Sequence, residues 1–122
     1  MDMIEAEEMV IASYKNSNDK RIIVLDKNYP FEFILFNFSE PIFAIYPRKT
    51  GTWGIKAIKA NLNTFNNRKN LPAAWGGLTV EELQKITGVP DAVFCHHSLF
   101  VAAAESKEGA IKLAQIALES KE

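Results

Sequence analysis

Cys95, His96 and His97 are consecutive, and they are the only cysteine and the only histidines in the sequence. Thiol beside imidazole is raw material for nucleophilic and metal-dependent chemistry, so spacing decides what the three can do. Residues 92–95 read as a strand, and successive side chains on a strand point to opposite faces. A thiolate and an imidazole at adjacent positions then diverge, as do two adjacent imidazoles. Neither a Cys–His nucleophile pair nor chelation of one metal by both histidines of one subunit is expected. Asp91 is the closest acid, and no carboxylate stands at ligand spacing, whereas a hydrolytic metal site normally takes three or more protein ligands. One reading is a packed histidine, a solvated one and a buried structural thiol. The other is a single histidine at a strand end that binds phosphate or donates a proton. No Ser-His-Asp spacing is interpretable, and Gly51, Gly54 and Gly76-Gly77 form neither GxGxxG nor a P-loop. The chain is expected to hold no catalytic residue and no metal ligand of its own.

Charge gives the second signal. The formal net charge is -1, which excludes a generally basic nucleic-acid binder. Its distribution is uneven: no acidic residue falls between Glu40 and Glu81, a stretch that carries Arg48, Lys49, Lys56, Lys59, Arg68 and Lys69. These cations alternate with Phe43, Tyr46, Trp53, Phe65 and Trp75. Cations bind phosphates and aromatic rings stack on bases, so the stretch reads as a nucleic-acid surface. It reads equally as a solvated basic face over core aromatics. Within residues 65–78, Arg68 could clamp a phosphate with its planar fork or bond loop carbonyls.

The elements that position these residues follow from periodicity. Residues 1–14 read as a helix with a loose apolar stripe of Ile4, Met9, Val10, Ile11 and Tyr14. Residues 21–26 are a buried strand, and 31–38 suit either a strand or a helical turn. Residues 41–46 and 52–58 form a hairpin, with Trp53, Ile55 and Ala57 on one face and Lys56 on the other. Residues 61–77 are an irregular loop. The Thr79–Glu82 spacing is a capping box that starts a helix with Leu83 and Ile86 inward, ended by Gly88 and Pro90. Residues 99–103 continue the 92–95 strand or pair with it. Ser106 caps a last helix whose Ala110, Leu113, Ala114, Ala117 and Leu118 fit the helical template. The class is α+β: a mixed sheet of four to five strands packed against two to three helices, in one domain over 1–122 with a helical lead-in at 1–18 and a core at 19–122. No apolar run approaches the roughly 20 residues of a membrane span, and the acidic start is unlike a signal peptide, so a cytoplasmic location without membrane contact is expected.

The motifs also resemble a known family. The run FNNRKNLPAAWGGL at 65–78, the following Glu-Leu, the Thr-Gly-Val-Pro at 87–90, the strand ending in His96 and the last helix occur in the order seen in the C-terminal part of the melanocyte-proliferating-gene (MYG) family. The segments at 13–31 and 41–58 are similar to its upstream strand and its Tyr-Pro, Gly-x-Trp hairpin. The resemblance spans about residues 13–118. It implies a branch of the DHH-type phosphoesterases: manganese-dependent phosphodiester hydrolases, with 3′–5′ RNA exonuclease activity in eukaryotic members. The Asp and His motifs that bind manganese belong to an N-terminal catalytic domain and are not in this sequence, and residues 1–14 look like a helix entering from it. Arg68, Trp75, Gly77, Pro90 and His96 match the pattern. Phe31 stands in place of Trp, and Leu99 and Ala102-Ala103 stand where some members have Gly, which weakens the case for close backbone approach to a phosphate.

The resemblance thus implies a substrate-binding accessory region, inactive alone, whose partners are the DHH-type catalytic domain and RNA or nucleotide phosphates. Arg68, His96, Lys56, Lys69 and Trp75 are the candidate substrate-binding residues. A stand-alone nucleotide- or RNA-binding module without catalytic activity is the alternative, as is a homodimerisation domain using Phe33, Phe36 and Phe38.

Overall fold

The computed structural model describes residues 3–64 and 66–121. The elements run α1 (Met3–Asn16), β1 (Ile22–Val24), α2 (Glu32–Phe36), β2 (Phe43–Pro47), β3 (Trp53–Ala57), a 3-10 turn (Ala73–Trp75), α3 (Val80–Thr87), β4 (Ala92–Cys95), β5 (Val101–Ala104) and α4 (Lys107–Glu119). The five strands form one mixed sheet in the order β1-β2-β3-β5-β4, with β1 parallel to β2 and the other pairs antiparallel. The α+β class stands. The ambiguous segment 31–38 is helical because Ile34 and Leu35, adjacent on a helix flank, both enter the core.

Helix α4 covers one face of the sheet. Ser106 caps it, its Oγ accepting the Gly109 N–H at 3.0 Å. Ala110, Leu113, Ala114 and Ala117 are fully buried against Phe43, Ile45, Ile55 and Ala102. The alanines keep the helix close to the strands, and Leu113 alone contributes about 2 kcal/mol by burial. A second core forms on the opposite face, where Ile23, Leu25 and Ala44 meet Ala6 and Val10 of α1 and Ile34 and Leu35 of α2.

Three local expectations are corrected. In α1, Ala6 and Val10 are buried and Ile11 and Tyr14 pack partly against the same core, while Ile4 is 70% and Met9 38% exposed. The helix rests on β1 and α2, which leaves Ile4 and Met9 outside. In α3, Leu83 is buried but Ile86 is half exposed, because the helix packs mainly on the edge strand β4. Thr79 starts that helix without a side-chain cap bond. Its backbone instead bridges Phe94 of β4, and Gly88 closes the helix at φ 75°, a conformation glycine takes without strain.

Candidate nucleic-acid interface

The second core covers only the β1–β2 half of its face. Among the described residues, no helix packs over β3, β5 and β4 on the side away from α4. Strand alternation decides what stands there. Tyr46 pairs with Gly54, Gly54 with Ala103 and Ala103 with Phe94, so these four form one row across the sheet. Ala44, Lys56 and Val101 form the next row, and the His96 N–H donates to the Val101 carbonyl at 2.9 Å, extending it. Lys56 and His96 therefore flank Val101, two strand spacings or about 10 Å apart at the backbone.

The first row is built around its missing side chains. A Cβ on Gly54 would stand 2.6 Å from Cζ of Tyr46, so the ring fits there only because position 54 is glycine. Arg48 reaches from the end of β2, with its guanidinium carbon 5.0 Å from the centre of the Phe94 ring. That is a cation–π contact between the residue that follows β2 and one on β4, three strands away. Tyr46, Arg48, Lys56, Phe94 and His96 are all half-buried. Burial raises the Tyr46 hydroxyl pKa, against the opposing pull of the Lys56 and Arg48 charges. Lys56 also pairs with Glu32 of α2.

The histidines depart from expectation. They lie in the β4–β5 turn rather than on opposite faces of a strand, and their rings stack at 4.3 Å between centroids. Leu99, at φ 63°, turns the chain back toward β5. His96 Nδ1 accepts the Ser98 N–H at 3.0 Å, which places the neutral ring's proton on Nε2 as a donor. The His96 ring also meets the Phe100 ring at 4.9 Å. Cys95 is 2% exposed, and burial pushes its thiol up to about 11, so the thiolate needed for attack is absent near neutrality. Among the described residues, no three His, Cys, Asp or Glu side chains are grouped to hold a metal ion. Two stacked imidazoles do not converge their nitrogens on one point, so this donor set does not fit manganese.

The candidate residues fall into three settings. Lys56 and His96 share the open face. Arg68 lies elsewhere: its guanidinium donates to the carbonyls of Phe38 (2.7 Å), Pro41 (2.8 Å) and Phe36 (3.0 Å), and it also covers the Phe36 ring. Burial lowers its pKa. Lys69 Nζ donates to the Ser120 carbonyl at 2.8 Å, and Arg68 and Lys69 line a separate cavity of about 590 Å³ with Asn67 and Asn70. Trp75 is 3% exposed inside the α4-side core, leaving no ring face for a base. Phe65 lies outside the described residues. Phe36 sits under Arg68, and Phe38 stacks on Tyr14 at 4.2 Å, so of the three phenylalanines considered for self-association only Phe33 is exposed.

The Arg48–Phe94 contact and the Tyr46–Gly54 pairing were not anticipated as site features. The second had a signal: a glycine in mid-strand opposite an aromatic invites the ring to lie over it.

This is an α+β protein with a half-covered mixed sheet whose open side carries rings and cations. A family model described as an uncharacterised protein family (UPF0160), bearing the MYG1 exonuclease name, matches residues 1–118, and the chain belongs to that family. It is similar to a MYG1 protein of Schizosaccharomyces pombe (26% identity, over 98% of this chain and 39% of that protein). It is similar to the MYG1 exonuclease of Rattus norvegicus (28% identity, 92% of this chain, 32% of that protein) and to a MYG1 protein of Caenorhabditis elegans (44% identity, 56% and 20%). The chain thus spans at most 39% of the length of these relatives. No solved structure matches it. No described helix is long and apolar enough to cross a membrane.

Proposed function

We propose that this chain supplies the substrate-holding region of a MYG-family phosphoesterase, and that its open sheet face binds single-stranded RNA. Phosphodiester cleavage, with the manganese that the family resemblance implies, belongs in this reading to a DHH-type catalytic region within the remainder of the relatives' length. The relatives named as exonucleases support a nucleic-acid substrate. The observation that carries the reading is the Arg48 guanidinium set over Phe94 beside Tyr46 on an uncovered sheet face. Rings on such a face take base faces, and adjacent cations take phosphate oxygens.

In this account Phe94 and Tyr46 present stacking surface, while Lys56, Arg48 and the His96 Nε2–H meet the backbone oxygens. Arg68 and Lys69 act through the loop they tie down, and Trp75 supports that loop from within. A cytoplasmic location belongs to the same reading, supported by the lone buried thiol. Titrating isotope-labelled protein with a short single-stranded RNA tests the assignment by NMR. Amide shifts should concentrate at residues 46–56 and 94–103; shifts confined to α1 or α4, or none, would reject it.

A further inference from the structure

Phe33 is 72% exposed, more than any other large apolar side chain among the described residues, and it is the one aromatic in that exposed group. Its position in α2 explains the exposure: Ile34 and Leu35 fill the core, and the helical rotation of about 100° per residue turns the preceding Phe33 ring outward. Phe33 does not stand alone. It lines a recess of about 570 Å³ with Tyr29, Phe31, Tyr46, Glu32 and Lys56, among others. Phe31 is buried and backs Tyr46 at 5.5 Å between ring centres. The Glu32–Lys56 ion pair forms the polar wall, with an acceptor and a donor side by side. Tyr46 and Lys56 belong to the open sheet face as well, so recess and face are continuous.

We infer that this recess is a second base-holding subsite, in which a nucleobase of the bound strand lies against Phe33 and Tyr46 with its polar edge toward Glu32 and Lys56. Aromatic walls with one paired donor and acceptor suit a base, whose faces are apolar and whose edge carries both hydrogen-bond roles. The inference rests on the nucleic-acid reading of the sheet face, and it gives the path of the strand across that face, between Phe94 and Phe33 by way of Tyr46.

Fluorescence anisotropy of the full 122-residue chain with labelled RNAs of two and six nucleotides tests it, using Phe33→Ala and Phe33→Trp. Wild-type protein should bind the hexamer more tightly than the dinucleotide. Phe33→Ala should weaken hexamer binding roughly tenfold, the scale of one lost stacking contact, and leave the dinucleotide unchanged. Phe33→Trp should retain hexamer affinity. Wild-type binding with no effect of Phe33→Ala would overturn the subsite and leave the sheet-face reading standing. Equal losses on both lengths would also overturn it, by making Phe33 a support of the fold or the main face. Absence of wild-type binding would overturn both. A Phe33→Ala protein that binds RNA normally but changes its mass in light scattering would assign the ring to protein contact instead.

Discussion

The guanidinium of Arg48 stands 5.0 Å from the centre of the Phe94 ring, although Arg48 follows β2 and Phe94 lies on β4, with β3 and β5 between them. Arg48 lies two residues beyond Tyr46, and it reaches Phe94 because Gly54 and Ala103, between Tyr46 and Phe94 in their row, are too small to block it. Removing either partner should affect RNA binding differently. Arg48→Ala should weaken binding to all sequences and reduce the slope of log affinity against log salt by about 1, as expected for one lost phosphate contact. Phe94→Ala should weaken binding about tenfold while leaving the salt slope unchanged. Anisotropy titrations at several salt concentrations separate the two outcomes.

Gly54→Ala should destabilise the protein by about 1–3 kcal/mol, because its Cβ would meet the Tyr46 ring at 2.6 Å. The loss should be largely relieved by adding Tyr46→Ala. Urea denaturation of the two single variants and the double variant gives the coupling; strict additivity would mean that the ring does not press on position 54.

Arg68 ties the last carbonyl of α2 and two of the α2–β2 connection to a loop about 30 residues further along the chain. Arg68→Ala should cost about 2 kcal/mol of stability by stranding those acceptors. Arg68→Lys should recover little of it, since an ammonium lacks the planar fork. Thermal unfolding reads both. If Arg68→Ala keeps full stability and loses RNA affinity alone, the residue is a direct phosphate ligand.

Cys95 sets a pH window. Burial raises its thiol from an ordinary 9.0 to about 11, so between those values the unfolded chain releases its proton while the folded protein keeps it. The thiol's contribution to stability is complete below pH 9 and falls as pH rises toward 11, by on the order of 2 kcal/mol. Urea midpoints measured from pH 8 to 10.5 should fall less in Cys95→Ala than in wild type. The same burial should keep Cys95 slow toward iodoacetamide at pH 8 until the protein is unfolded.

What the sequence disclosed depended on whether the deciding contact was local. Helix α4 was readable because Ser106 caps its own third neighbour and its alanines repeat at helical spacing. Lys56 was correctly set opposite Trp53, Ile55 and Ala57 because alternation on a strand is a local rule. The histidine turn was hidden because Leu99 carries a positive φ that glycine usually signals. Arg68's choice between a phosphate and protein carbonyls was undecidable without knowing where residues 36–41 lie. The interface itself was partly visible, as the acid-free stretch with Tyr46, Arg48 and Lys56. Phe94 and His96 join it only because β5, which pairs locally with β4, also pairs with β3 across more than 40 residues of sequence.

The central claim is that this chain's open sheet face holds single-stranded RNA. Its most direct test is a fluorescence-anisotropy titration of the wild-type chain against a short single-stranded RNA at low and at moderate salt. The account predicts saturable binding that weakens as salt rises, because cations on the face release phosphate counterions. Absence of binding at low salt, or binding indifferent to salt, would contradict it.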